Sequence, residues 1–141
     1  MYNVQLIYGP KGCGKTKKLV DMANASVQDA KGVLVYIDKD NSRMHDLDHA
    51  IKLVDASEYD VRCEKTFPAF VKGILAGNYD IEKIYFDGII KIVKKPLEEL
   101  QGMFETLAEL SDKFGVEFIF TFSVEKELPE FMAKYNTLCS F

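Results

Sequence analysis

Nearly continuous apolar runs narrow this chain's folding options more than any other feature. They are Val4 to Tyr8 (VQLIY), Val33 to Ile37 (VLVYI), Ile84 to Phe86 and Glu117 to Phe122 (EFIFTF). A strand with one wet face alternates apolar and polar residues, whereas a strand buried on both faces does not. Between the runs the spacing turns helical. Leu19, Val20, Ala23 and Val27 share one face of a segment that starts at Lys15 and reaches about Ala25. Phe67 to Ala76 reads as a helix ended by Gly77 and Asn78. Another helix, from near Pro96, carries Leu97, Leu100, Phe104, Leu107, Leu110 and Phe114 inward as far as a stop at Gly115. Apolar strands alternating with helices predict a three-layer αβα domain with a mainly parallel sheet of five to six strands. Its strand carboxyl ends, and any ligand, then lie along one edge.

Two stretches are open to more than one reading. His45 to about Ala50 fits a short helix, with Ile51 to Val54 as a further strand, and Glu125 to Lys134 is expected to form a last helix. Residues 1–141 fit a single domain, and 48% hydrophobic with 28% charged residues excludes disorder. The net charge is −4, so the basic field of a protein that binds nucleic acid through its phosphates is missing, and nucleic acid is not the expected partner. Cys13, Cys63 and Cys139 form neither a close pair nor a metal-ligand spacing. With no signal-peptide pattern and no apolar run long enough for a membrane span, the expectation is a cytoplasmic protein without membrane association.

The chemistry concentrates in Gly9-Pro10-Lys11-Gly12-Cys13-Gly14-Lys15-Thr16, which fits the phosphate-loop pattern G-x-x-x-x-G-K-[ST] in full. The glycines let the backbone turn its N–H groups into a concave anion nest, and the following helix aims its positive end at the same point. Lys15 reaches the β- and γ-phosphates in such a loop, and the Thr16 hydroxyl binds Mg²⁺. Residues 9–17, Lys17 included, are therefore the expected nucleotide-binding segment. In a chain of this length the pattern arises by chance with a probability of roughly 0.5%.

On these residues the chain resembles P-loop NTPases. That resemblance implies an Asp at the end of a buried strand that holds Mg²⁺ through water, and Ile84-Tyr85-Phe86-Asp87 supplies it. Three segments are similar to the RecA-like branch. In Tyr36-Ile37-Asp38-Lys39-Asp40, Asp40 takes the position of an acidic residue that orients the attacking water. Phe86-Asp87-Gly88 resembles the metal-binding segment, and Phe120-Thr121-Phe122-Ser123 the strand ending in a polar γ-phosphate sensor, with Ser123 or Thr121 in that role. The implied catalytic set is Lys15, Asp40 and Ser123, with Thr16 and Asp87 on the metal.

The departures from that pattern point to slow turnover. Asp in place of Glu shortens the reach by one methylene, and a misplacement of about 1 Å costs on the order of a hundredfold in rate. No Glu follows Asp87, and Arg43 and Arg62 are the chain's two arginines, so charge-stabilising arginine fingers are scarce. Absence of an N/T-K-x-D string favours ATP over GTP. The expected activity is Mg²⁺-dependent ATP binding with slow hydrolysis. A non-catalytic nucleotide sensor acting through a protein partner or self-association is the alternative, and a small nucleotide or nucleoside kinase the third reading. His45 and His49, spaced i and i+4, read as a solvated polar end rather than a metal site. The Lys91, Lys94 and Lys95 cluster reads as a solvated face, with an acidic partner or a neighbouring subunit's phosphate as the sharper possibility.

Overall fold

In the computed structural model, which describes residues 3–141, one sheet collects every strand. Its strands are β1 (Val4–Gly9), β2 (Val33–Asp38), β3 (Ile51–Asp55), β4 (Ile81–Phe86), β5 (Glu117–Ser123) and β6 (Asn136–Ser140). They lie in the order β3-β2-β4-β5-β1-β6, and every pairing is parallel. The helices are α1 (Lys15–Ser26), α2 (Phe67–Gly77), α3 (Ile89–Val93) and α4 (Gln101–Phe114). An α/β protein with an all-parallel sheet is the result.

Strand parity assigns the two faces. Ile7, Leu34, Tyr36, Tyr85 and Ile119 pack against Leu19, Val20 and Ala23 of α1. Their chain neighbours Leu6, Val35, Ile37, Phe86, Phe118 and Phe120 point the other way, into a larger core closed by α2, α3 and α4. Stacked Phe86 and Phe120 rings, 4.3 Å between centroids, form the centre of that core, with the edge of Phe104 meeting Phe120 at 5.1 Å. Continuous apolar runs were needed because both sides of the sheet are dry.

Four local expectations need correction. Residues 45–50 form turns rather than a helix. The Asn24 side chain clamps them, donating to Asp46 O at 2.9 Å and accepting from Asp48 N at 2.8 Å, while Leu47 is buried against the α1 face. The helix expected from Pro96 starts only at Gln101, after a 3₁₀ turn at Leu97–Glu99, and Phe114 is 43% exposed rather than inward. At that end Ser111 and Val116 close the core, with Ser111 Oγ donating to Val116 O at 2.6 Å. In place of a helix over Glu125–Lys134 there is a 3₁₀ segment, Glu130–Lys134, set off by Pro129. Beyond it β6 adds an edge strand whose polar residues gave no strand signal, and α3 is too short for a periodic one.

Because the strands are parallel, Gly9, Asp38, Asp87 and Ser123 all arrive at one sheet edge. Gly9 is in register with Ser123, and Ile37 with Phe86. The Asp87 amide donates to Ile37 O at 2.9 Å, which carries the β2–β4 pairing on to the two carboxylates.

Candidate functional site

Between β1 and α1 the backbone makes the wrap that the motif calls for. Gly12 and Gly14 have φ of 81° and 99°, a region that L side chains enter only with strain. A Cβ at either glycine would meet nothing within 4 Å, so conformation rather than space demands glycine there. No side chain caps the first turn of α1, and its positive end faces the loop. Lys15 Nζ folds over the crest, donating to Pro10 O at 2.9 Å and lying 3.6 Å from Cys13 Sγ. The Lys11 amide donates to Glu125 Oε1 at 3.2 Å. A hollow of about 490 Å³ opens beside the loop, lined by Lys15, Thr16 and Lys17 on one side and by Asp87, Thr121 and Ser123 on the other.

Asp87 is the junction of this edge. Its Oδ1 accepts from Thr16 Oγ1 at 3.1 Å and from Thr121 Oγ1 at 3.0 Å, and its Oδ2 from Tyr36 OH at 2.7 Å. Burial, followed by the Asp87 charge, pushes the Tyr36 phenol well above its ordinary range, so it stays a donor. Thr121 Oγ1 also accepts from the Gly88 amide at 2.8 Å. A Thr121→Val substitution is therefore expected to cost about 2 kcal/mol, because it strands an amide and removes a donor from a buried carboxylate. Urea denaturation measures this, and an unchanged midpoint would contradict the network.

A smaller hollow of about 140 Å³ adjoins the first, and Thr16, Asp38, Arg43, Asp87 and Lys91 line it. Asp38 is 5% exposed, and burial, then the neighbouring Asp87 charge, raises its carboxyl to about 6. Asp40, expected to orient water, sits elsewhere. Its carboxylate accepts from the Ser42 hydroxyl and amide at 2.6 and 3.0 Å, which hold it down at about 2, and it lines a different hollow with Arg62 and Lys94. Sequence reading placed Asp38 at the start of a polar loop. The signal it missed was β2 running one residue further and ending level with the strand that carries Asp87.

The remaining expected residues divide. Ser123 borders the loop hollow, while the Thr121 hydroxyl is engaged by Asp87. Lys17 also borders it, though its ammonium pairs with Asp21 at 3.0 Å on the surface. Gly9 packs closely against the chain end, where a Cβ would come within 2.7 Å of Phe141 Cβ. His45 and His49 are exposed, and among the described residues no group of three or more His, Cys, Asp or Glu side chains converges as a metal site. One carboxylate and one hydroxyl, both oxygen donors at hydrogen-bond distance, nonetheless suit Mg²⁺, which takes few protein ligands and keeps waters and phosphates for the rest. Arg43 and Tyr36 were legible as residue types but had no positional signal. No protein-family model matches the chain, and no curated protein matches its sequence. Among the described residues no helix is long and apolar enough to cross a membrane.

Proposed function

We propose that this chain is a P-loop NTPase of the RecA-like kind that binds ATP with Mg²⁺ and hydrolyses it slowly. The observation that carries this reading is the Thr16 to Asp87 hydrogen bond, 3.1 Å across 71 residues of chain. It joins the phosphate-loop segment to the strand-end Asp that the resemblance implies, beside a loop with two left-handed glycines. Lys15 leaves Pro10 O for the phosphate oxygens, and with the loop amides it stabilises the charge that builds there. Thr16 and Asp87 would hold a magnesium ion, whose positive charge would offset that of the phosphates. Asp38, rather than Asp40, orients and deprotonates the attacking water, since it faces the hollow shared by Thr16 and Asp87. Tyr36 and Thr121 fix the rotamer of Asp87, and Ser123 contacts the γ-phosphate.

Titration calorimetry with ATP, with and without magnesium, tests binding, and phosphate release in the same buffer tests turnover. Saturable magnesium-dependent binding with slow release is expected. A chain that ignores ATP at millimolar magnesium sinks the proposal. The reach of Asp38, one methylene short of a glutamate, favours as a second reading a sensor that binds without release, and the paired assays separate the two.

A further inference from the structure

The hollow that Asp40 lines, a third one of about 320 Å³, lies on the far side of Lys39 and Lys91 from the phosphate loop. Lys39, Arg62, Lys91 and Lys94 surround it against the single carboxylate of Asp40, a concentration of positive charge in a chain whose net charge is −4. Two of these cations are already engaged, Lys39 with Asp40 at 3.3 Å and Arg62 with Asp60 at 2.7 Å. Lys91 and Lys94 form no ion pair among the described residues. Lys94 is held at φ 57°, a left-handed conformation unusual for lysine, where its amide closes the end of α3 on Ile90 O at 2.8 Å. The floor is apolar, formed by the buried side chains of Ala56, Val61 and Ile92.

We propose that this hollow binds a small phosphate monoester with a flat or apolar body. Unpaired ammonium groups beside the Arg62 guanidinium suit a dianion, and the apolar floor suits the group that the phosphate is attached to. The volume fits a small molecule, and the acidic surface elsewhere disfavours a nucleic-acid backbone. Lys39 and Lys91 also border the hollow of Thr16 and Asp87, so an anion here changes the field felt by a ligand on the loop. This site does not depend on the ATP reading, because Arg62, Lys94 and the apolar floor lie outside the loop's hollow.

The test uses the full chain carrying Lys15→Ala, which disables the phosphate loop, titrated by calorimetry with phenyl phosphate, inorganic phosphate and a short oligothymidylate. Phenyl phosphate is expected to saturate in the millimolar range or tighter, and to bind more tightly than inorganic phosphate. Combining Arg62→Gln with Lys94→Asn, a residue that tolerates the left-handed backbone, should weaken it about tenfold. Should the double variant unfold, Arg62→Gln alone, at an exposed side chain, gives a smaller loss in the same direction. The proposal is overturned by an absence of saturable binding, by an affinity that ignores these changes, or by oligothymidylate binding more tightly than phenyl phosphate. ATP binding by the unmodified chain is read separately, so either proposal can fail without the other.

Discussion

Lys15→Ala is expected to weaken ATP binding by about a hundredfold or more while leaving the fold intact. The Lys15 ammonium lies over the crest of the loop, and contacts from a charged donor to phosphate oxygens are worth roughly 1.5–3 kcal/mol each. Two such contacts account for the loss. Nothing in the core depends on this side chain, which is half-buried and donates to a single backbone carbonyl, Pro10 O. Urea unfolding should therefore stay within about 0.5 kcal/mol of the unmodified chain. Unchanged affinity in a calorimetric titration would remove the loop from the site, and the ATP reading with it.

Asp38→Asn should produce the opposite pattern: a more stable protein with much slower turnover. Burial and the Asp87 charge raise the Asp38 carboxyl from 3.8 to about 6 in the fold. For a carboxyl raised on folding, the native state favours the protonated form. The stability it contributes is complete below about pH 4 and is lost as pH rises through about 6. Above that window the ionised carboxylate costs the metal-free protein about 2 to 3 kcal/mol, which an uncharged amide of the same shape does not. The Asn side-chain oxygen still accepts from the Lys39 amide, so no partner is stranded. In chelator at pH 7.5 the variant is expected to melt roughly 5–10 °C higher, with the gap closing toward pH 4. Phosphate release should fall by on the order of a hundredfold, as for removal of a general base. Equal melting curves at both pH values would contradict the burial argument. Release that survives in Asp38→Asn and fails in Asp40→Asn would return the role to Asp40.

These two variants separate the roles that the parallel edge brings together. In the proposed function Lys15 contributes to binding and little to stability, while Asp38 costs stability and contributes to chemistry. A buried carboxylate beside a second one is an expensive arrangement. In Asp87 the cost is offset by three hydroxyl donors, whereas Asp38 accepts one amide hydrogen bond, from Lys39.

Much of the architecture was legible before any coordinates. Val4 to Tyr8, Val33 to Ile37 and Glu117 to Phe122 are strands because both of their faces are dry, and that demand is written residue by residue. The turn from strand to helix at Gly9 to Lys15 was equally plain, since glycine spacing reports backbone conformation directly. Less legible were β6, whose Asn-Thr-Leu-Cys-Ser sequence lies on an exposed edge, and the turns at 45–50, shaped by Asn24 far earlier in the chain. Phe114 misled because helical spacing continued past the point where packing partners ended.

Local pattern alone determined the strands, the glycine-bearing loop and the helix that follows it, because dihedral preference and hydrophobic period act over a few residues. Only the tertiary structure decided that Asp38 rather than Asp40 faces the hollow of Thr16 and Asp87, and that Thr121 rather than Ser123 binds the Asp87 carboxylate. The reason is register. Residues two apart on a strand share a face, so alternation does not choose between them. Instead β2 stops at Asp38, leaving Asp40 in the turn held by Ser42, and the pairing of Phe86 with Phe120 sets Thr121 beside Asp87 with Ser123 two residues beyond.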